Sequence, residues 1–111
     1  MYMLQSNFTI ERYVADDGDV PFDKWFDDVR DRKARARIRQ RLDRLSIGIF
    51  GDCKPLRVGV WELRIDYGPG YRVYYSIVSK AVILLLCGGD KRKQNADIER
   101  AVNYLQHYRQ R

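Results

Sequence analysis

WELRIDYGPGYRVYYSIVSKAVILLLCGG, residues 61–89, decides the fold. Trp61, Leu63 and Ile65 alternate with Glu62, Arg64 and Asp66, the period of two of a strand with one buried face. Gly68-Pro69-Gly70 is turn chemistry. Beyond it Tyr71, Val73, Tyr75 and Ile77 share one face, while Arg72, Tyr74 and Ser76 share the other. Ser79-Lys80 turns again into AVILLLC (81–87), apolar at every position as a central strand covered on both faces would be. Gly88-Gly89 stops it. The segment therefore predicts a three-stranded antiparallel meander with Trp61 in the core and Arg72 on its exposed side.

Upstream, the chain changes period. Ala34, Ile38, Leu42, Leu45 and Ile49 form one stripe at about 100° per residue, with Arg35 and Arg39 on one shoulder and Arg37, Arg41 and Arg44 on the other. Gly48 and Gly51 end this second helix. Before it, Pro21 opens a first helix, with Asp23 in its first turn and Phe22, Trp25, Phe26 and Val29 on one side. That aromatic stripe reads as core packing. The ADDGD turn (15–19) separates it from a first strand in which Phe8 and Ile10 alternate with polar residues. Downstream, the basic cluster DKRK (90–93) leads into a last helix marked by Ile98, Ala101, Val102 and Leu105. The predicted order is βααβββα: an α+β domain spanning 1–111, with an antiparallel-rich sheet, two N-terminal helices and a C-terminal helix.

Composition narrows the function classes. With 111 residues, 45% hydrophobic and 32% charged, the chain has the make-up of one folded domain and not of a disordered segment. The longest apolar run, Ala81–Cys87, is far short of the roughly 18 residues a membrane helix needs. MYMLQSNFTIERY at the start has no signal-peptide pattern, so a cytoplasmic protein with no membrane partner is expected. Cys53, Cys87 and the single histidine, His107, lack metal-ligand spacing; reduced thiols, no metal and no cofactor are expected. The net charge of +6 is uneven: residues 1–29 hold seven acidic and two basic side chains, and residues 30–44 hold eight basic and two acidic. Such asymmetry favours a polyanionic partner, either nucleic acid or an acidic protein, although a solvated basic face explains it nearly as well.

Three stretches, KPLRVGVWELRI (54–65), GYRVYYS (70–76) and LLLCGGDKRKQNADIERA (84–101), together resemble the RelE/ParE toxin superfamily, and within it the HigB-like, phage-related addiction-module killer proteins. The resemblance implies the toxin of a type II toxin–antitoxin module. It also implies a cognate antitoxin, typically a helix-turn-helix DNA-binding protein, through which alone operator DNA is reached. RelE-type and HigB-type members cut mRNA on the ribosome, whereas ParE-type members inhibit DNA gyrase and are not nucleases. An inactive antitoxin-binding relative is the third possibility that fold likeness leaves open.

Cleavage of RNA by a 2′-hydroxyl needs a base, an acid for the leaving oxygen, and cations on the phosphoryl oxygens. Arg72 matches the arginine of the family's YR strand motif and suits a bidentate phosphate grip. Asp90, Lys91, Arg92 and Lys93 lie where a central strand meets a helix. Arg92 resembles the second phosphate-contacting arginine, and a one-residue shift gives that role to Lys91. Asp90 is a base or a holder of Arg72; Lys93 caps the helix or binds RNA. Lys54 and Arg57 fall where related toxins contact RNA; Arg64, on the same strand face as Glu62, is a candidate to supplement the phosphate grip, and Glu62 is a base or the cross-strand partner of Arg64. The tyrosine that RelE carries in its last helical segment is replaced by Ile98, and the histidines of some HigB-like members have no counterpart. Tyr71 and Tyr74 remain as weak bases, with an ordinary pKa near 10.

Overall fold

A computed structural model describes residues 7–111. Residues 1–6, which open the stretch searched for a signal peptide, lie outside the described residues.

The meander forms as its alternation demands. Strands β3 (Trp61–Ile65), β4 (Tyr71–Ser79) and β5 (Val82–Asp90) pair antiparallel, with Arg64 opposite Arg72, Glu62 opposite Tyr74 and Arg72 opposite Gly89. A bulge at Tyr74/Tyr75 shifts the register, and both rings are fully buried, Tyr74 on one face and Tyr75 on the other. Strand β1 (Thr9–Arg12) lies parallel to the first half of β5. Strand β2 (Cys53–Pro55) pairs antiparallel with β3, so the sheet is mixed, in the order β1-β5-β4-β3-β2. The observed order is thus βααββββα, one strand more than the sequence pattern predicted. Three residues ending in proline are too short to show a period.

Helices cover both faces. α1 (Pro21–Asp28) and α2 (Arg32–Ser46) place Phe22, Ala34, Ile38 and Leu45 on Leu63, Ile65, Val73, Tyr75, Ile83 and Leu85. α3 (Gln94–Gln110) places Ala101, Val102 and Leu105 on Val60, Tyr74, Leu84 and Leu86. Asp31 caps α2 by accepting from the backbone N–H groups of Lys33 and Ala34. The helix closes on Gly48 in the left-handed region: Gly48 N–H bonds to Leu45 C=O and Ile49 N–H to Arg44 C=O, the Schellman pattern. Ile49 therefore leaves the core stripe and is exposed. Trp61 is only partly buried, stacked on Tyr75 at 6.3 Å between ring centres.

The larger departure concerns the second face of β3 and β4. The alternation made it a solvated face, but α3 lies across it, and Glu62 (0% exposed) and Arg72 (8%) are buried. A period-2 pattern records which residues share a face, not whether a distant helix covers that face.

Candidate functional site

Arg72 enters the site from behind. Its Nε lies 3.5 Å from Glu62 Oε2, and the Gln94 side-chain amide donates to the same oxygen at 2.6 Å. α3 thus contributes its first residue to fixing Glu62, and Glu62 fixes the guanidinium. Burying this pair is tolerable only because each charge faces the other. Glu62 stands behind Arg72 and is wholly buried, which fits a positioning role and removes it as a base for a bound ligand.

In front of Arg72 lies a cleft of about 210 Å³, lined by Asp52, Arg64, Asp66, Gly68, Pro69, Gly70, Arg72 and Lys91. Three separate segments deliver its cations. Arg64 and Arg72 are register partners on adjacent strands, and like charges placed opposite each other destabilise a sheet unless counter-charges are supplied. Arg64 is held by Asp52 Oδ1, 3.0 Å from Nη2 and 3.2 Å from Nε. Lys91 is brought in by its backbone N–H, which donates to Gly70 C=O at 3.1 Å. Gly70 has φ +82°, and a Cβ there would stand 3.5 Å from Arg72 Nη1 and 3.9 Å from Lys91 Cδ. Glycine thus permits the turn and leaves the cleft open. Asp66 is exposed and accepts no hydrogen bond or ion pair among the described residues. The alternation of β3 included Asp66 without marking it; its place just before the Gly-Pro-Gly turn was the available signal.

The other candidates lie elsewhere. Asp90 does not hold Arg72: it accepts from Arg92 Nη2 at 2.8 Å and from Arg92 N–H at 2.9 Å, and these bonds hold its carboxyl below the ordinary aspartate range. Asp90, Arg92 and Lys93 line a second, larger groove between α1 and α3. Of the two residues proposed for the second phosphate contact, Lys91 is the one in the cleft with Arg72. Lys54 is exposed on β2 opposite Glu62, and Arg57 pairs with Glu99 on α3. Burial pushes the hydroxyls of Tyr71 and Tyr74 up, Tyr74 most strongly, which takes both further from service as bases. His107, near the other end of α3, lies 2.7 Å from Tyr13 Oη and 3.1 Å from Asp16 and ties α3 to the β1–α1 loop. Ile98 packs into the core beneath α3.

Both cysteines are thiols, and burial pushes Cys87 up to about 12. No cluster of metal-ligating side chains occurs among the described residues, and no helix there is long and apolar enough to cross a membrane.

A family model described as phage derived protein Gp49-like matches residues 24–106, from α1 almost to the end of α3. A protein of Haemophilus influenzae described as uncharacterized is 46% identical over 82 residues, covering 74% of this chain and 83% of its own length. The Gp49-like family is associated with addiction-module killer proteins. The family match includes the whole hairpin, the Lys91 turn and the Gln94 end of α3 in one continuous span. The chain belongs to the Gp49-like family of phage-derived proteins.

Proposed function

We propose that this protein is the toxin of a toxin–antitoxin pair and that its cleft holds and cuts the backbone of mRNA on the ribosome. The observation carrying this reading is the meeting of Arg64, Arg72 and Lys91, from three segments, around one small opening with a free carboxylate at its rim. Each arginine is fixed by one carboxylate, which leaves further N–H donors for phosphoryl oxygens.

In this reading Asp66 takes the proton of the 2′-hydroxyl as that oxygen bonds to phosphorus. Arg72 and Arg64 stabilise charge on the non-bridging oxygens, and Lys91 gives a proton to the departing 5′-oxygen. The P–O5′ bond breaks, leaving a 2′,3′-cyclic phosphate and a 5′-hydroxyl. The antitoxin is a helix-turn-helix DNA-binding protein in this proposal, and it carries the complex to operator DNA. Primer extension on message after induction tests the cleavage: new 5′ ends that vanish in Lys91→Ala are expected, and intact message during growth arrest overturns it.

One observation favours a second reading, inhibition of DNA gyrase without cleavage. The carboxylates of Glu62 and Asp90 are both consumed by ion pairs, leaving the chemistry to a single exposed aspartate. Loss of gyrase supercoiling in the presence of purified protein, with message intact, would select it.

A further inference from the structure

Helix α2 carries its charge at a cost to itself. Arg32, Lys33 and Arg35 stand in or next to its first turn, which holds no acidic residue, so they face the positive end of the helix dipole. Lys33 with Arg37, Arg35 with Arg39, and Arg37 with Arg41 are like-charged pairs four residues apart, a spacing that disfavours a helix. Solvated surfaces intersperse both signs, but Asp43 is the one carboxylate of this helix. Local rules broken in this way point to a function.

Two of the arginines are taken up by the fold: Arg35 donates to the carbonyls of Phe26 and Val29, and Arg41 to that of Arg64. Lys33, Arg37 and Arg44 are exposed, and none of them makes an ion pair among the described residues. At about 100° per residue they fall on one side of α2, the side from which Arg41 reaches the sheet, and Asp43 lies roughly 100° round from them. They form a row about 16 Å long.

The middle of that row adjoins the cleft. The Arg37 guanidinium lies 4.8 Å over the Tyr67 ring, and Tyr67 stands between Asp66 and Gly68, which both line the cleft. Between Arg32 and Arg44 the helix exposes no large apolar side chain; the exposed Ile47 and Ile49 lie past its end. The centre of a protein–protein interface is apolar, whereas a phosphate chain is held by cations alone.

We propose that the RNA strand gripped in the cleft lies against this row, its flanking phosphates on Arg37, on Lys33 to one side and on Arg44 to the other. The inference rests on the RNA reading of the cleft and gives the path of the strand outside it.

A 2′-O-methyl dodecaribonucleotide, which lacks the attacking hydroxyl, is titrated against the full chain at several salt concentrations. Three contacts in the cleft and three on the row give a slope of log affinity against log salt of about −4. Lys33→Gln with Arg44→Gln should bring the slope to about −3 and weaken binding roughly tenfold at low salt, with the thermal midpoint unchanged or raised. Arg32→Gln with Arg39→Gln removes the same charge from the other side of α2 and should leave the slope near its wild-type value. An equal loss in this second variant, or no change in the first, would overturn the proposal. So would an oligoglutamate peptide that binds the wild type more tightly than the RNA and loses that affinity in the first variant. Row-dependent binding beside intact message supports this contact and removes the cleavage reading; cleavage with the slope unchanged in the first variant does the reverse.

Discussion

At the scale of single residues, the pair Arg72–Glu62 separates what holds the site from what acts in it. Removing one partner of a buried pair strands the other charge, so Arg72→Ala is expected to cost about 3–5 kcal/mol in denaturant unfolding. The double change Arg72→Ala with Glu62→Gln should recover a substantial part of that loss. Additive losses in this cycle would show that the two side chains are not coupled. Lys91 is exposed and has no ion-pair partner among the described residues, so Lys91→Ala should change stability by less than about 0.5 kcal/mol while abolishing message cleavage. Asp90 has a pH signature of its own. Its folded-state pKa is depressed, chiefly by its hydrogen bond to the Arg92 guanidinium, so the stability it contributes is complete above the ordinary aspartate value of 3.8 and is lost as pH falls through the lower folded value. Asp90→Asn should flatten the acid limb of the stability curve; an unchanged limb would remove Asp90 from the account. The YR pair and the DKRK cluster were legible as letters in the sequence. The burial of Arg72 was not, because it depends on a helix that begins twenty-two residues later in the chain.

At the scale of elements, the arginine-rich second helix shows how a charge run becomes structure. Arg35 and Arg39 lie over the Phe26 ring at 4.2 and 5.1 Å, and Arg37 lies over Tyr67 at 4.8 Å. Arg41 donates to the carbonyls of Arg64 (2.6 Å) and Phe50 (3.3 Å), tying α2 to the strands that carry the cleft. Arg41→Ala is therefore expected to destabilise by roughly 1–3 kcal/mol, measured by thermal unfolding, through unsatisfied carbonyls and lost packing. A surface arginine with no such role would leave the transition unmoved. The apolar stripes of α1, α2 and α3 were readable from sequence because a helix shows its core face locally. Strand β2 and the parallel pairing of β1 with β5 were not, since a three-residue edge and a long-range register leave no periodic trace.

At the scale of the whole molecule, helices on both faces of a mixed five-stranded sheet leave openings only at its ends and edges, and the two grooves lie there. The Lys91–Lys93 turn stands between them: Lys91 lines one groove, and Arg92 and Lys93 line the other. The excess positive charge should draw the protein to RNA in a salt-dependent way. If three cations neutralise backbone phosphates in the cleft, the logarithm of affinity should fall with that of salt at a slope of about −2. Primer extension on ribosome-bound message incubated with purified protein tests the central claim most directly, with wild type, Lys91→Ala and Arg72→Lys compared side by side. The account expects new 5′ ends with the wild type alone, while both variants remain folded. Intact message with the wild type, or equal cleavage by Lys91→Ala, would contradict it.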